Sequence, residues 1–157
     1  MPGSGKSTIG RLLAEKIGFS FVDLDNLIRD REGKTHTQII LEKGDKELVR
    51  LEEFYTATLN LEKTVFAPGG SIVYSPAAME KLRQETVAIY LSTPIDVIRK
   101  NLGDQIEQRG IVGLRGRGLE GVFAERSPLY EKYAHFTVDC GSKSAEEVCD
   151  AVAGLIV

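Results

Sequence analysis

The chain has 157 residues, 42% of them hydrophobic and 27% charged, with a net charge of −3. That length suits one domain with a sizeable core, and the mild acidity excludes a nucleic-acid partner gripped by a basic face. No apolar run approaches the ~20 residues of a membrane span and no secretory leader precedes the first motif, so a cytoplasmic protein with no membrane partner is expected.

The first element is Met1-Pro2-Gly3-Ser4-Gly5-Lys6-Ser7-Thr8, which reads as a phosphate-binding loop of the pattern G-x-x-x-x-G-K-[ST] running into a helix. Gly3 and Gly5 can take positive φ and turn backbone N–H groups toward phosphate oxygens. Lys6 offers a point charge to the β- and γ-phosphates, and Ser7 a hydroxyl to magnesium. Gly3, Ser4, Gly5, Lys6, Ser7 and Thr8 are therefore expected to bind a nucleoside triphosphate. The first glycine of the pattern would precede Met1, as would the strand that normally feeds such a loop. The expectation is a chain that starts inside its domain, at a methionine internal to a longer protein. By that reasoning the 157-residue form is poorly soluble or unstable, and about ten further residues upstream rescue it.

Ile9, Leu12, Leu13 and Ile17 follow helical spacing up to a stop at Gly18. Phe19 to Leu24 reads as a strand ending in Asp23 and Asp25, followed by helices over 26–32, 35–42 and 45–60. Thr64 to Ala67 is a strand ending in Pro68-Gly69-Gly70-Ser71, and Ser75-Pro76 opens a helix with a serine cap. Val87 to Leu91 is a strand, and Thr93-Pro94 opens the next helix. Residues 102–117 show no periodicity, and five basic residues face two acidic ones from Arg99 to Arg117; Arg109, Arg115 and Arg117 fit a mobile lid or an ordinary charged loop. Helix 119–132, strand 135–139 and helix 144–155 complete the chain. Such alternation predicts an α/β fold, a three-layer α/β/α sandwich around a parallel sheet, apparently lacking its first strand. Ligands in such folds bind at the carboxyl ends of the strands, where Asp23, Asp25, Gly69 and Gly70 stand. Asp23 and Asp25 could equally cap the helix near Asn26, and Gly69-Gly70 could be a plain turn. Glu52 reads as a structural partner of a nearby arginine, and His36 and His135 as structural. Cys140 and Cys149, without C-x-x-C spacing or a nearby histidine, read as reduced thiols.

Taken together these motifs resemble the shikimate kinase family, small-molecule kinases of the nucleoside monophosphate kinase-like P-loop fold. The resemblance runs along the whole chain, through the P-loop, Phe21-Val22-Asp23-Leu24-Asp25, Gly33-Lys34, Gly44 with Arg50-Leu51-Glu52, Gly69-Gly70, Ser75-Pro76 and Glu125-Arg126-Ser127-Pro128-Leu129-Tyr130. It implies a single P-loop kinase domain over 1–157 with a lid at about 102–117. It further implies phosphorylation by ATP and Mg2+ of a hydroxyl on a small carboxylate-bearing metabolite, shikimate to shikimate 3-phosphate, a step of aromatic amino acid biosynthesis. By the same resemblance Lys6 and Ser7 hold phosphates and metal, Asp23 orders the metal's water shell, and Asp25 is base or orienter for the acceptor hydroxyl. Gly69 and Gly70 offer backbone N–H groups to the acceptor, Arg126 pairs with its carboxylate, and Arg109 reaches the transferring group from the lid. The implied working form is a monomer acting on a small molecule.

The sequence departs from the family pattern at three places. Val49 stands where an arginine grips the substrate carboxylate, Ser71 replaces a third glycine after Gly69-Gly70, and Arg109 is followed by Gly110-Ile111-Val112 rather than Pro-Leu-Leu. A relative with another hydroxylated acceptor, a nucleotide-driven switch and a non-catalytic remnant are the competing readings. Arg99 and Lys100 are candidates for stacking on a nucleotide base.

Overall fold

A computed structural model describes residues 1–156, so Val157, the last residue of the expected domain, lies outside the description. Eight α-helices and four strands run along it. Helix α1 spans Lys6–Ile17, β1 Ser20–Asp23, α2 Leu24–Glu32, α3 His36–Lys43, α4 Asp45–Thr58 and β2 Thr64–Ala67. Then follow α5 over Pro76–Glu85, β3 over Ile89–Ser92, α6 over Ile95–Leu102, α7 over Leu114–Tyr133, β4 over Phe136–Asp139 and α8 over Ala145–Ile156.

Local chemistry accounts for many of the boundaries. Thr35 caps α3 through a reciprocal capping box with Gln38. Ser75 accepts a hydrogen bond from Ala78 N–H ahead of Pro76, and Ser144 and Glu147 cap α8 reciprocally. Asp23 caps α2 by accepting from Asn26 N–H at 3.1 Å. The strand expected to run to Leu24 therefore stops one residue earlier, and Asp25 lies in the first turn of α2 rather than at a strand end.

The strands pair in parallel, β1 with β2 and β3 with β4, in registers that set Asp23 beside Ala67 and Ser92 beside Asp139. The continuous sheet expected from the alternation is thus present as two hydrogen-bonded pairs. Side-chain alternation still defines three layers. Val65, Ile89 and Leu91 face Ile9 and Leu13 of α1 and Val148, Cys149 and Val152 of α8. On the opposite face Phe66 packs with Ile72, Met79 and Tyr133, and Tyr90 stacks on Tyr130 of α7 at 5.2 Å between ring centres. Both cysteines are free and buried, and burial raises their thiol pKa values. No described helix is long and apolar enough to cross a membrane.

The segment expected to be irregular is largely helical. Gly103–Gln108 forms a 3₁₀ turn, and a short helical stretch from Leu114 precedes Gly118 (φ 67°), whose non-helical backbone separates it from the expected helix that begins at Leu119 within α7. Six glycines between positions 103 and 121 mask the periodicity, but Ile111, Leu114, Leu119 and Val122 bury together against Ile98 and Leu102 of α6. Tertiary burial overrides weak local propensity there.

Candidate active site

All four strands deliver their carboxyl ends to one cavity of about 850 Å³, whose wall includes Asp23, Gly70, Thr93 and Cys140. The glycine-rich loop from Gly3 to Thr8 crosses its floor. Gly3 and Gly5 hold φ at 74° and 84°, and Gly5 is the N-cap of α1. The loop is pinned from behind by Asn101 Nδ2, which donates to Gly3 O at 2.8 Å, and by Thr93 Oγ1, which donates to Ser4 O at 3.4 Å. A Cβ on Gly3 would meet Leu102 at 3.0 Å, so the turn needs glycine for space as well as conformation.

Ser7 Oγ donates to Asp23 Oδ2 at 2.5 Å, which places a hydroxyl and a carboxylate at one point beside the loop. Such hard oxygen donors fit Mg2+ chemistry. Lys6 Nζ lies 3.8 Å from Asp25 Oδ2.

Arg126, from α7, is 1% exposed. Its Nη2 donates to Val112 O at 2.9 Å and its Nε to Tyr74 Oη at 3.3 Å, while its guanidinium lies 5.2 Å over the Tyr74 ring. Among the described residues no carboxylate pairs with it, although it lines the cavity. Gly69 and Gly70 keep ordinary or extended φ and are explained by proximity. A Cβ on Gly69 would overlap Glu52 Oε1, and one on Gly70 would stand 2.9 Å from Arg126 Nη1. Tyr130 Oη donates to Gly70 O at 2.6 Å, and burial pushes its own pKa up to about 12.

Several expectations are corrected here. Glu52 forms no ion pair with an arginine; it accepts from Ser71 Oγ at 2.6 Å, so the serine in the glycine run is tied to the buried acid. Burial raises the Glu52 pKa to about 7, with Asp25 adding to the rise and Ser71, Arg126 and Lys6 opposing it. Of the three basic residues in the glycine-rich segment, Arg109 lines the cavity, while Arg117 pairs with Glu125 beyond it. Arg99 is tied to Glu120 and Asp96, and neither it nor Lys100 lines the cavity, to which α6 contributes Val97 and Asn101. His36, read from sequence as structural, lies in the cavity wall with Nδ1 4.0 Å from Asp25 Oδ1. Nothing local marks it, since α3 meets α2 only through the fold.

A glycine-rich turn at the head of α1, a hydroxyl–carboxylate pair beside it and a buried arginine without a carboxylate partner on the same cavity fit the layout of a small-molecule phosphotransferase. The model of the shikimate kinase family matches residues 2–156. The chain belongs to the shikimate kinase family. A shikimate kinase from Chlorobium chlorochromatii is 36% identical over 151 residues, covering 90% of this chain and 79% of that protein. One from Persephonella marina is 32% identical over 156 residues, covering 98% and 93%. Among solved structures, a shikimate kinase from Acinetobacter baumannii in complex with shikimate superposes with a TM-score of 0.83 at 26% identity, covering 99% of this chain and 88% of that one. As a shikimate kinase family member the protein is an ATP-dependent phosphotransferase acting on a hydroxyl group, which sets aside the nucleotide-switch reading.

Proposed function

We propose that this protein transfers the γ-phosphoryl group of ATP to a hydroxyl of shikimate, as a single P-loop kinase domain with its lid at about 102–117. The observation that carries the acceptor class is Arg126. A buried guanidinium with no carboxylate partner is costly, and an acceptor carboxylate supplies the missing charge in the planar fork geometry that arginine favours.

In this reading the backbone N–H groups of Gly3 to Thr8 and the ammonium of Lys6 hold the phosphates. Lys6 exchanges its present neighbour, Asp25, for the nucleotide. Ser7 would hold Mg2+ directly and Asp23 through the metal's water shell, and the ion neutralises phosphate charge. Asp25 aligns the acceptor hydroxyl and receives its proton as the new oxygen–phosphorus bond forms and the bond to the ADP oxygen breaks. Gly69 and Gly70 hold the acceptor by their backbone, and Arg109 approaches the transferring group from the lid. The working unit is taken as a cytoplasmic monomer.

A second acceptor has one observation in its favour. Val49 packs in the apolar cluster of α2 and α4, and Arg50 beside it is bound twice by Glu47, at 2.8 and 2.9 Å. Arg126 would then hold the carboxylate without a second arginine from α4. An ADP-release assay with Mg2+ and ATP, run over shikimate and a panel of hydroxy acids and polyols, tests the proposal. Saturable turnover with shikimate supports it. Turnover with another polyol alone replaces the acceptor, and turnover with none refutes the kinase assignment.

A further inference from the structure

Two buried polar atoms of the cavity wall have no hydrogen-bond partner, Asp25 Oδ1 and His36 Nε2. The side chains face each other, yet His36 Nδ1 and Asp25 Oδ1 are 4.0 Å apart, beyond a hydrogen bond. Buried polar groups are normally satisfied, and each exception calls for an explanation such as a catalytic role, a water or an ion.

His36 is restrained at its backbone and Cβ. Its backbone is fixed by the Thr35 capping box on one side. On the other, Thr37 Oγ1 donates to Gln108 O at 2.6 Å, and a Cβ on Gly110 would come within 2.6 Å of His36 Cβ. The side chain is 14% exposed. Burial lowers its pKa, with Lys6 and Arg29 acting in the same direction and Asp25 and Asp23 against it. Its place in the first turn of α3 also disfavours the cation. A neutral imidazole carries one N–H donor and one bare nitrogen, whereas a carboxylate only accepts.

We propose that His36 is a specificity-determining residue of this phosphotransferase: its imidazole binds the hydroxyl adjacent to the one held by Asp25, so the site selects acceptors with two neighbouring hydroxyls. The inference rests on the acceptor reading given above. One hydroxyl donates to Asp25 Oδ1, and the hydroxyl on the next carbon reaches the ring, donating to its bare nitrogen or accepting from its N–H. An acceptor with a lone hydroxyl satisfies Asp25 and leaves the imidazole buried and unpaired, which a polar pocket rejects.

The test compares the unmodified protein with His36→Leu and His36→Asn, on shikimate and on the analogue lacking the hydroxyl next to the phosphorylated one. The unmodified protein should prefer shikimate by about tenfold or more in kcat/KM. H36L should lose about tenfold on shikimate, mainly through KM, and nothing on the analogue; H36N, which keeps a donor and an acceptor, should retain much of the preference. A second readout needs no substitution: the imidazole nitrogen resonances of His36 should shift with shikimate and not with the analogue, with His135, bound by Ala88 N–H, as internal reference. Equal losses on both acceptors, an unchanged preference in H36L, or equal resonance shifts overturn the assignment. Absence of turnover by the unmodified protein with shikimate overturns the acceptor reading and this inference with it.

Discussion

Replacing Glu52 by glutamine should remove a pH-dependent load from the folded state. Glu52 is 1% exposed on α4, with Ser71 bound to Oε2 and Gly69 packed against Oε1. Its pKa rises from the ordinary 4.5 to about 7 on folding, chiefly through burial. Between those values the folded protein keeps a proton that the unfolded chain has released, so stability is fully present below about pH 4.5 and is lost as pH rises through about 7. The separation of the two values corresponds to about 3 kcal/mol, of which about 2.5 falls between about pH 5 and about pH 8. Glutamine has nearly the same shape, can still accept from Ser71 and does not titrate. Urea unfolding of both proteins in steps from about pH 5 to about pH 8 should show E52Q gaining about 2.5 kcal/mol on the unmodified protein across the range, at constant m. A difference between the two that stays level with pH would refute the argument, because Glu52 would then not be the group that titrates over this range.

Three further outcomes are expected. Asp25→Asn should lower kcat by about 10²–10⁴-fold while leaving the KM for ATP unchanged, as steady-state kinetics would show. Arg126→Met should raise the KM for a carboxylate acceptor by about ten- to a hundredfold, the cost of a hydrogen bond to a charged group, with little effect on ATP. Gly69→Ala should destabilise by about 1–3 kcal/mol in thermal unfolding because its Cβ overlaps Glu52, whereas Gly70→Ala meets the far end of Arg126 and should act mainly on acceptor KM.

The legible parts of the molecule are those whose bonding is local. The turn from Gly3 to Ser7 is written in residues that need positive φ and small volume, and the caps at Thr35, Ser75 and Ser144 sit within three residues of the groups they satisfy. Strand Thr64–Ala67 lies where its apolar run placed it. Leu24 was misplaced because an apolar residue reads alike at the end of a strand and the start of a helix, and only the Asp23 cap separates the two. The short helical stretch from Leu114 is hidden among glycines, and burial of Leu114 and Leu119 against α6 decides it.

The sequence by itself determined the glycine turn ahead of α1, a parallel α/β layering and the acidic residue at the end of β1, because short-range hydrogen bonding and side-chain periodicity are properties of neighbours along the chain. Tertiary structure alone decided that Glu52 binds Ser71, that Gly69 makes room for that acid, that Arg126 is buried without a carboxylate and that His36 faces Asp25. Those relations join α2, α3, α4 and α7 across tens of residues. Their energetics come from burial and mutual approach, which no local pattern encodes.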